Sequence, residues 1–388
     1  MRRFLSTSWI LALVLGFSIR AQAMDSTEVL PESINSPSIR MGVVSGIGLR
    51  FMSSGSLVSL GDHNSIEFDA QALARFEPRV NELVSALNQF GPQRLGDQLS
   101  LGVLRVETTP EVRYFAPVYA RGMTKSWTLA LGAPILNYKN KMGFRQTGSN
   151  LDAIQAQVGN ASPDLNDAFE QLNINLATTA QNELISKGYR PIVDRDESEV
   201  GDVQLVSLLQ FAKRETTSAQ FKTILSLPTG RGDDPDDLAD LGIYGYLSIE
   251  NQLLGNYVYR GRWTFAARGG YRYTFNDRVT RRVPLNEEDT LPDQNSKEVV
   301  TRKTGGAFFA GGSVTYAALP GLDFAVGFES VRKALDAYEG GREGRRYDLL
   351  GRDTDTNNDR IRMGVTYSSI DAFFAGKAWL PTMIAYEF

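Results

Sequence analysis

The sequence predicts an all-β fold, a transmembrane antiparallel β-barrel of about 14 strands (range about 12–14) with short helices in a plug or in loops. Three observations predict it. The chain begins with a segment typical of export signals, no other apolar run is long, and apolar residues alternate with polar ones over long stretches. A barrel strand faces lipid on one side and the lumen on the other, so its apolar residues recur at every second position.

Residues 1–23 resemble a secretion signal. Arg2 and Arg3 give a positive start, an apolar stretch runs from Trp9 to Ile19, and Ala21-Gln22-Ala23 fits a small-x-small cleavage site. The apolar stretch is shorter than the about 20 residues of a membrane-spanning helix, and a retained anchor is the alternative. We therefore expect residues 24–388 to reach the outer membrane of a Gram-negative bacterium after secretion across the inner membrane.

Charge and composition exclude other classes. Removal of residues 1–23 takes away three arginines and no acid, which changes the formal net charge from −4 to −7. A mildly acidic chain gives no electrostatic basis for binding nucleic acid. The sequence contains 0 cysteines, which excludes disulfides and cysteine-ligated metal sites. No remaining run approaches about 20 apolar residues, so a helical membrane protein is excluded as well.

The clearest alternation runs from Arg262 to Phe275. One face carries the large apolar side chains, namely Trp263, Phe265, Tyr271, Tyr273 and Phe275. No helical phase gathers these residues on one side. A soluble β-sandwich also alternates, but its strands are usually about 5–6 residues long. The chain also ends with Ile384, Tyr386 and Phe388 at alternate positions, which resembles the assembly signal of outer-membrane barrels.

Alternation predicts thirteen strands along the chain. They are 39–51, 56–69, 99–108, 111–120, 126–138, 202–212, 218–228, 240–252, 260–275, 300–317, 321–332, 359–368 and 372–388. The long connections after 138, 228, 275 and 332 then lie at one end, the outside. A closed antiparallel barrel of this type needs an even strand number. Either a turn near Gly376-Lys377 divides the last strand or one more strand is missing.

Two stretches have helical spacing. Residues 70–90 form an amphipathic helix within 52–98, a candidate plug or hatch, whose Phe76 and Leu83 are candidate ligand contacts. Residues 163–187 form a second helix within 139–199, a helical loop insertion. Its boundaries follow from Ser162 as N-cap before Pro163 and from Gly188 as C-cap.

Residues 201–242 resemble a known family. Gly201-Asp202-Val203 leads one strand, and its hairpin partner ends in Leu227-Pro228-Thr229-Gly230. This pattern is similar to the FadL-type and "MetA-pathway of phenol degradation" families of outer-membrane transporters for hydrophobic compounds. The resemblance implies a fourteen-stranded barrel with an N-terminal hatch and passive uptake of fatty acids or aromatic hydrocarbons. Here residues 24–37 are short and polar and the 70–90 helix follows a strand, so a plug at 70–90 is an analogy.

Arginines fall on the polar faces of the predicted strands. They are Arg40, Arg50, Arg113, Arg262, Arg268, Arg272, Arg360 and Arg362. Structural ion pairs inside the barrel are one explanation. The other is a guide for an anionic head group, because arginine binds carboxylates bidentately. For this role we single out Arg262, Arg268 and Arg272.

The sequence offers no catalytic constellation, so we expect no enzyme and no cofactor. His63 is the only histidine and lies in a turn-like Gly61-Asp62-His63-Asn64. Asp353, Asp355, Asn357 and Asp359 alternate like the start of a calcium loop, but the glycine and bidentate glutamate that complete such a loop are absent. Pro117 and Pro134 interrupt strand patterns, and such a gap could open the wall to lipid or mark a bulge.

Three functions fit a barrel of this kind. The first is passive uptake of hydrophobic small molecules, the second is a general diffusion porin, and the third is a structural or adhesive surface barrel. In each case the expected partners are outer-membrane lipid, lipopolysaccharide and the barrel-assembly machinery, together with a hydrophobic ligand in the first. Single-channel conductance separates a porin from the other two.

Overall fold

The computed structural model describes residues 26–44, 49–51, 57–59, 66–70, 79–89, 93–158, 175–240, 245–370, 372, 376–377, 379 and 382–387. Several predictions lie outside these ranges. They concern the export signal 1–23, His63, Phe76, Ser162 with Pro163, and the terminal Phe388.

The described residues form strands and three α-helices. The strands are β1 (Asn35–Val44), β2 (Leu49–Phe51), β3 (Leu57–Ser59), β4 (Ile66–Asp69), β5 (Ser100–Thr124), β6 (Trp127–Gly132), β7 (Ile135–Thr147), β8 (Arg195–Val200), β9 (Val203–Lys213), β10 (Thr217–Leu227), β11 (Ser248–Tyr259), β12 (Trp263–Thr274), β13 (Asp277–Arg282), β14 (Lys297–Lys303), β15 (Ala307–Leu319), β16 (Leu322–Lys333), β17 (Ala337–Glu339), β18 (Thr356–Ser368) and β19 (Met383–Glu387). The helices are α1 (Arg79–Gln89), α2 (Leu151–Val158) and α3 (Leu176–Ser186). None of the helices in the described ranges is long and apolar enough to cross a membrane.

One antiparallel sheet of 14 strand segments dominates the fold. Its order is β19-β18-β16-β15-β12-β11-β10-β9-β6-β5-β7-β8, with β1 and β4 both paired to β5. Three pairs of segments lie end to end, β1 with β4, β6 with β7 and β8 with β9. The described sheet therefore has fewer full rows than the predicted 12–14, and the first row is β1 with β4 and the last is β19.

The two faces of the sheet differ as predicted. On β12, Trp263, Phe265 and Tyr271 are exposed, whereas Ala266 and Thr274 on the other face are buried. We call the face with exposed aromatic and aliphatic side chains the outer face and the opposite one the inner face. On β1 the exposed large apolar residues are Ile39, Met41 and Val43, and Arg40 and Gly42 between them are half-buried, so the predicted alternation also holds there.

The prediction of separate strands at 99–108 and 111–120 is wrong. Both belong to β5, which continues through Pro110 and pairs with β7 from Val103 to Phe115. A strand proline removes one ladder hydrogen bond and is tolerated where no partner needs that donor. On the other edge of β5, the described partners β1 and β4 stop at Val112 and Leu104, so Pro110 faces the gap between them.

The connections sort by length onto the two ends of the sheet. Residues 125–126, 214–216, 260–262 and 320–321 make up the short-turn end. The connections 148–194, 228–247, 275–306 and 334–355 start and finish at the other end, which we call the head. The prediction that these four long connections share one end is confirmed, although residues 369–382 between β18 and β19 make a long connection at the short-turn end. The helical connection is shorter than the predicted 139–199, because β7 continues to Thr147 and β8 begins at Arg195.

The three helices pack together at the head. Leu83 and Leu87 of α1, Ile154 of α2 and Leu176 of α3 share one buried cluster with Leu104 of β5. Leu104 lies on the inner face, so the helices cover that face rather than the apolar outer one. Gly188 has φ 77° and follows the end of α3, as predicted for its C-cap.

The last strand is shorter than predicted. Residues 372–388 were expected to form one strand, but β19 begins only at Met383 and pairs with β18 through Glu387. Before it, Gly376 has φ 69° and the Lys377 N–H donates to the Ala372 carbonyl at 2.7 Å. A turn near Gly376-Lys377 was one of the two alternatives, and the positive φ there suits glycine.

Candidate functional site

A segment before β1 lies against the inner face at the short-turn end. The carbonyl of Thr27 accepts hydrogen bonds from the amides of Gln210 at 2.9 Å and Gln220 at 3.3 Å. The Thr27 and Ser218 hydroxyl oxygens are 2.5 Å apart. Thr27 is fully buried, although it lies only eight residues before the first strand. The segment is therefore held inside the curve of the sheet and is not a free tail.

Residues 30–34 extend this attachment. The Leu30 N–H donates to the Thr128 hydroxyl at 2.8 Å, and the Leu30 side chain is buried with Val118 and Ala130. Gly122 pairs its N–H and carbonyl with Ile34 and Ser33, and a Cβ there would collide with the backbone of residues 30–31. Sequence reasoning missed this segment, because it placed the plug at 52–98 and read residues 24–37 only as short and polar.

The inner face is apolar along β5. Six of its inward residues are apolar and buried, with the half-buried Thr108, Pro110 and Tyr114 between them, and these six form the strip: Leu104, Val106, Val112, Ala116, Val118 and Ala120. One end of the strip belongs to the helix cluster in the head, and the other belongs to the cluster that contains Leu30. The strip therefore runs from the head to the short-turn end along one strand.

The opposite sector of the inner face is charged. Glu329 of β16 is buried, forms an ion pair with Arg268 of β12, and lies 2.8 Å from Arg360 of β18. Arg362 is 3.7 Å from the same carboxylate and 3.5 Å from Glu387 of β19. The guanidinium groups of Arg268, Arg360 and Arg362 thus surround the Glu329 carboxylate, and Arg362 also reaches Glu387.

A second charged pair lies beside the first cluster. Glu250 of β11 is buried and pairs with Arg272, its direct partner in register on β12. Gln252 and Lys222 stabilise the ionised carboxylate of Glu250 through a hydrogen bond and through charge. Arg268 and Arg272 thus lie on the same face of one strand, and each is paired with a different carboxylate. Arg262 lies in the short turn 260–262, exposed and at the other end of β12, so it does not join them.

The remaining candidates are dispersed. Leu83 is buried in the helix cluster of the head. Asp359 lies on β18 and pairs with Arg332, and Asn357 lies on the same strand. Among the described residues no three acidic or histidine side chains are placed to hold a metal ion.

The strand ladders are interrupted at one height across neighbouring rows. Pairing of β5 with β6 and β7 is lost at residues 116–117, opposite Ala133-Pro134. In the next row β8 ends at Val200 and β9 begins at Val203, and the Gly201 N–H donates to the Pro134 carbonyl at 2.7 Å. Pro134 therefore divides a row as predicted, whereas Pro117 lies within the continuous β5. The break divides the wall into a part next to the short-turn end and a part next to the head. The outer face of the part next to the head carries charged residues such as Arg113 and Lys139.

Asp202 closes that break towards β10. Its carboxylate accepts hydrogen bonds from the backbone N–H groups of Gly230 at 2.8 Å, Gly245 at 3.0 Å and Tyr246 at 3.3 Å. In return the Thr229 hydroxyl accepts from the Val203 N–H at 2.8 Å. The Gly-Asp and Pro-Thr-Gly patterns of the sequence are thus joined as one anchored unit at the base of the 228–247 connection.

Ion pairs join the connections of the head. Asp236 accepts hydrogen bonds from Arg282 at 2.7 Å and from Lys297, and Arg282 lies 3.7 Å from the centre of the Tyr189 ring. Burial opposes ionisation of Asp236, but the hydrogen bonds from Lys297 and Arg282 lower its pKa below the ordinary value. Burial also raises the pKa of Tyr189 to about 12. Residues from three long connections therefore form one ionic cluster.

Comparison with known proteins finds similarity only among solved structures. No protein-family model and no curated protein matches the chain. Among solved structures, an outer membrane channel from Pseudomonas putida F1 is similar with a TM-score of 0.46 and 13% sequence identity, covering 88% of this chain and 84% of that one. The function proposed below rests on the residues of this chain.

Proposed function

We propose that the sheet closes into a β-barrel that spans the outer membrane. Between the short-turn end and the ladder break the outer face is lined by exposed apolar side chains, and the charged Glu250, Arg268 and Glu329 point inward, as a lipid-facing barrel requires. The two edges of the sheet also approach each other, because Glu387 of β19 interacts electrostatically with Arg40 of β1 and with Tyr114 of β5. Closure removes the unpaired edges that lipid cannot satisfy.

Within this barrel, we propose passive uptake of hydrophobic small molecules such as fatty acids or aromatic hydrocarbons. The observation that carries the proposal is the burial of Thr27 among the inward Gln210, Gln220 and Ser218. The segment of residues 26–34 blocks the short-turn end in this proposal, and we call it the stopper. The apolar strip of β5 leads from the head to the stopper. A general diffusion porin would instead need an open polar passage.

The charged sector would then face the polar end of a ligand. Arg268 and Arg272 point inward from the same strand, and Arg360 and Arg362 add two more guanidinium groups around Glu329. A ligand carboxylate could displace part of this pairing, because arginine binds carboxylates bidentately. In this proposal Phe76 and Leu83 belong to an apolar entry region around 52–98. The ligand exchanges laterally with lipid at the ladder break next to Pro134.

The stopper can be locked with an engineered disulfide. The chain has 0 native cysteines, and the Thr27 and Ser218 oxygens are in contact, so Thr27→Cys with Ser218→Cys should form one. Uptake of a labelled fatty acid into liposomes should be lost in the oxidised protein and return on reduction. As a control, Asn35→Cys with Arg121→Cys joins paired residues of β1 and β5 without fixing the segment.

Each alternative gives a different result. Large, steady conductance that is the same in the oxidised and reduced forms indicates a porin. No uptake in either form indicates a structural or adhesive barrel. Uptake that continues with the disulfide closed contradicts the stopper.

A further inference from the structure

Three neighbouring turns at the short-turn end are basic. They carry Lys125, Lys213, Arg214, Arg260 and Arg262, and all five residues are exposed. The only acid in these turns is Glu215, although the whole chain has a net charge of −4. No ion pair joins any of the five basic side chains to an acid of the described ranges. We call these five residues the basic rim.

The sheet order places the three turns side by side. They connect β5 with β6, β9 with β10, and β11 with β12, and these six strands are consecutive in the sheet. At about 4.8 Å per strand the basic rim spans about 24 Å. Neighbouring turns therefore lie about one Debye length apart at physiological salt, so their charges act on a common partner.

The basic rim directly adjoins apolar residues of the outer face. Arg260 and Arg262 lie between the exposed Tyr259 and Trp263, and the Trp263 ring packs on Tyr316 with centroids 4.6 Å apart. Arg260 lies 5.1 Å from the centre of the Tyr259 ring. Arg260 also adopts φ 52°, a backbone region in which glycine, asparagine or aspartate is the usual residue. A charged residue thus adopts a strained backbone conformation beside the exposed aromatic side chains Tyr259 and Trp263. We call the exposed aromatic side chains at this margin of the outer face the aromatic belt.

Charges at the other margin of the outer face are arranged differently. There Arg113 pairs with Glu111, Lys139 with Asp196 and Arg145 with Glu107. These three basic side chains near the head are matched by acids, whereas the five of the basic rim are not.

We propose that the basic rim binds anionic phospholipid headgroups of the membrane leaflet that surrounds the short-turn end. The inference rests on the proposed membrane-spanning barrel. Lysine and arginine next to an aromatic belt extend to the headgroup level, where they attract anionic lipid. An acidic protein partner would suit positive charge that projects away from the bilayer. Here the first basic residue at each turn, Lys125, Lys213 or Arg260, lies within two residues of an exposed apolar side chain, Met123, Phe211 or Tyr259, and this favours lipid.

Native tryptophans report on this contact. Trp127 and Trp263 flank two of the three turns, and Trp379→Phe removes the other tryptophan of the mature chain. This variant is inserted into phosphatidylcholine bilayers that contain a minor fraction of brominated phosphatidylglycerol or, separately, of brominated phosphatidylcholine. We expect about twofold stronger quenching by the anionic lipid, with the excess lost at high salt.

Two charge variants test the assignment. Lys125→Gln, Lys213→Gln, Arg214→Gln, Arg260→Gln and Arg262→Gln together should equalise quenching by the two lipids. The matched control replaces Arg113, Lys139, Lys141, Arg145 and Arg278 by glutamine and should keep the excess.

The outcomes separate the two proposals. Equal quenching by both lipids in the unsubstituted rim overturns the lipid assignment and leaves an acidic protein as the partner. Loss of the excess in the control variant overturns it as well, because general charge would then be the cause. Absence of quenching by either lipid means that the aromatic belt does not lie in a membrane, and the proposed barrel itself fails.

Discussion

Arg268 and Glu329 form an ion pair across an intervening strand. Arg268 of β12 is aligned with Gly311 of β15, which is aligned with Glu329 of β16 and, through it, with Arg360 of β18. Because Gly311 has no side chain, the two charged groups can meet over it. A Cβ at Gly311 would lie 2.6 Å from the Phe328 carbonyl oxygen and 3.6 Å from Arg268 Nε. The absence of one side chain thus permits the charged cluster.

The first prediction concerns this carboxylate. Glu329→Gln removes the negative charge that Arg268 and Arg360 share, so both guanidinium groups lose their attraction to a buried carboxylate. We expect the free energy of unfolding to fall by about 3 kcal/mol, as for other broken interior ion pairs. Denaturant unfolding in detergent measures it. Glu107→Gln, which breaks an exposed pair with Arg145, should cost under about 1 kcal/mol, and an equal cost would contradict the role of burial.

The second prediction concerns ligand charge. Arg268→Ala with Arg272→Ala should weaken uptake of an acidic hydrophobic ligand more than that of a neutral one of similar size. The physical reason is loss of bidentate contacts to the carboxylate. Paired liposome uptake assays give the ratio. Equal loss for both ligands would indicate damaged folding. A charge-balanced variant, which combines the two arginine substitutions with Glu250→Gln and Glu329→Gln, tests that explanation.

The third prediction concerns the anchor at the ladder break. Asp202→Ala leaves the N–H groups of Gly230, Gly245 and Tyr246 without their charged acceptor. Hydrogen bonds to charged groups contribute about 1.5–3 kcal/mol each, so we expect a loss of about 2–3 kcal/mol after water replaces part of the set. Asp196→Ala, at an exposed pair with Lys139, is the control. Similar melting temperatures for the two variants would show that Asp202 is not an anchor.

The fourth prediction is a pH dependence in the head. The folded pKa of Asp236 lies below its unfolded value of about 3.9, so its contribution is complete above that pH and is lost as pH falls through the folded pKa. The Arg190 N–H donates to the Asp236 carbonyl at 2.8 Å, and its hydrogen exchange reports on the contact. Relative to Asp236→Asn, protection should be greater at neutral pH by about 1–2 kcal/mol, and the difference should shrink below about pH 4. A difference that grows in acid contradicts the assignment.

The fifth prediction tests closure of the sheet. Arg40→Cys with Glu387→Cys places single thiols on β1 and β19, and a short bifunctional maleimide should join them in the membrane-inserted protein. Arg40→Cys with Glu250→Cys on the distant β11 should not be joined. Failure of the first pair would mean that the edges of the sheet stay apart.

Local sequence determined the two faces of strands such as β12 and β1. Alternation along β12 and β1 predicts which side chains point outward, because the side-chain period of a strand is two whatever its partners are. The order of long and short connections followed from the same pattern. Gly188 at the end of α3 and the turn at Gly376 followed from the rarity of positive φ in other residues.

Only the tertiary structure decided the contents of the interior. Local patterning places Arg268 and Arg262 on the same polar face of the predicted strand 260–275. In the structure, register across two strands gives Arg268 the partner Glu329, whereas Arg262 lies in a turn. Local patterning also could not show that Thr27 is buried beside Ser218, 191 positions away in the chain. Pairing partners and buried contacts depend on which distant segments meet, and hydrophobic periodicity within one segment carries no information about that choice.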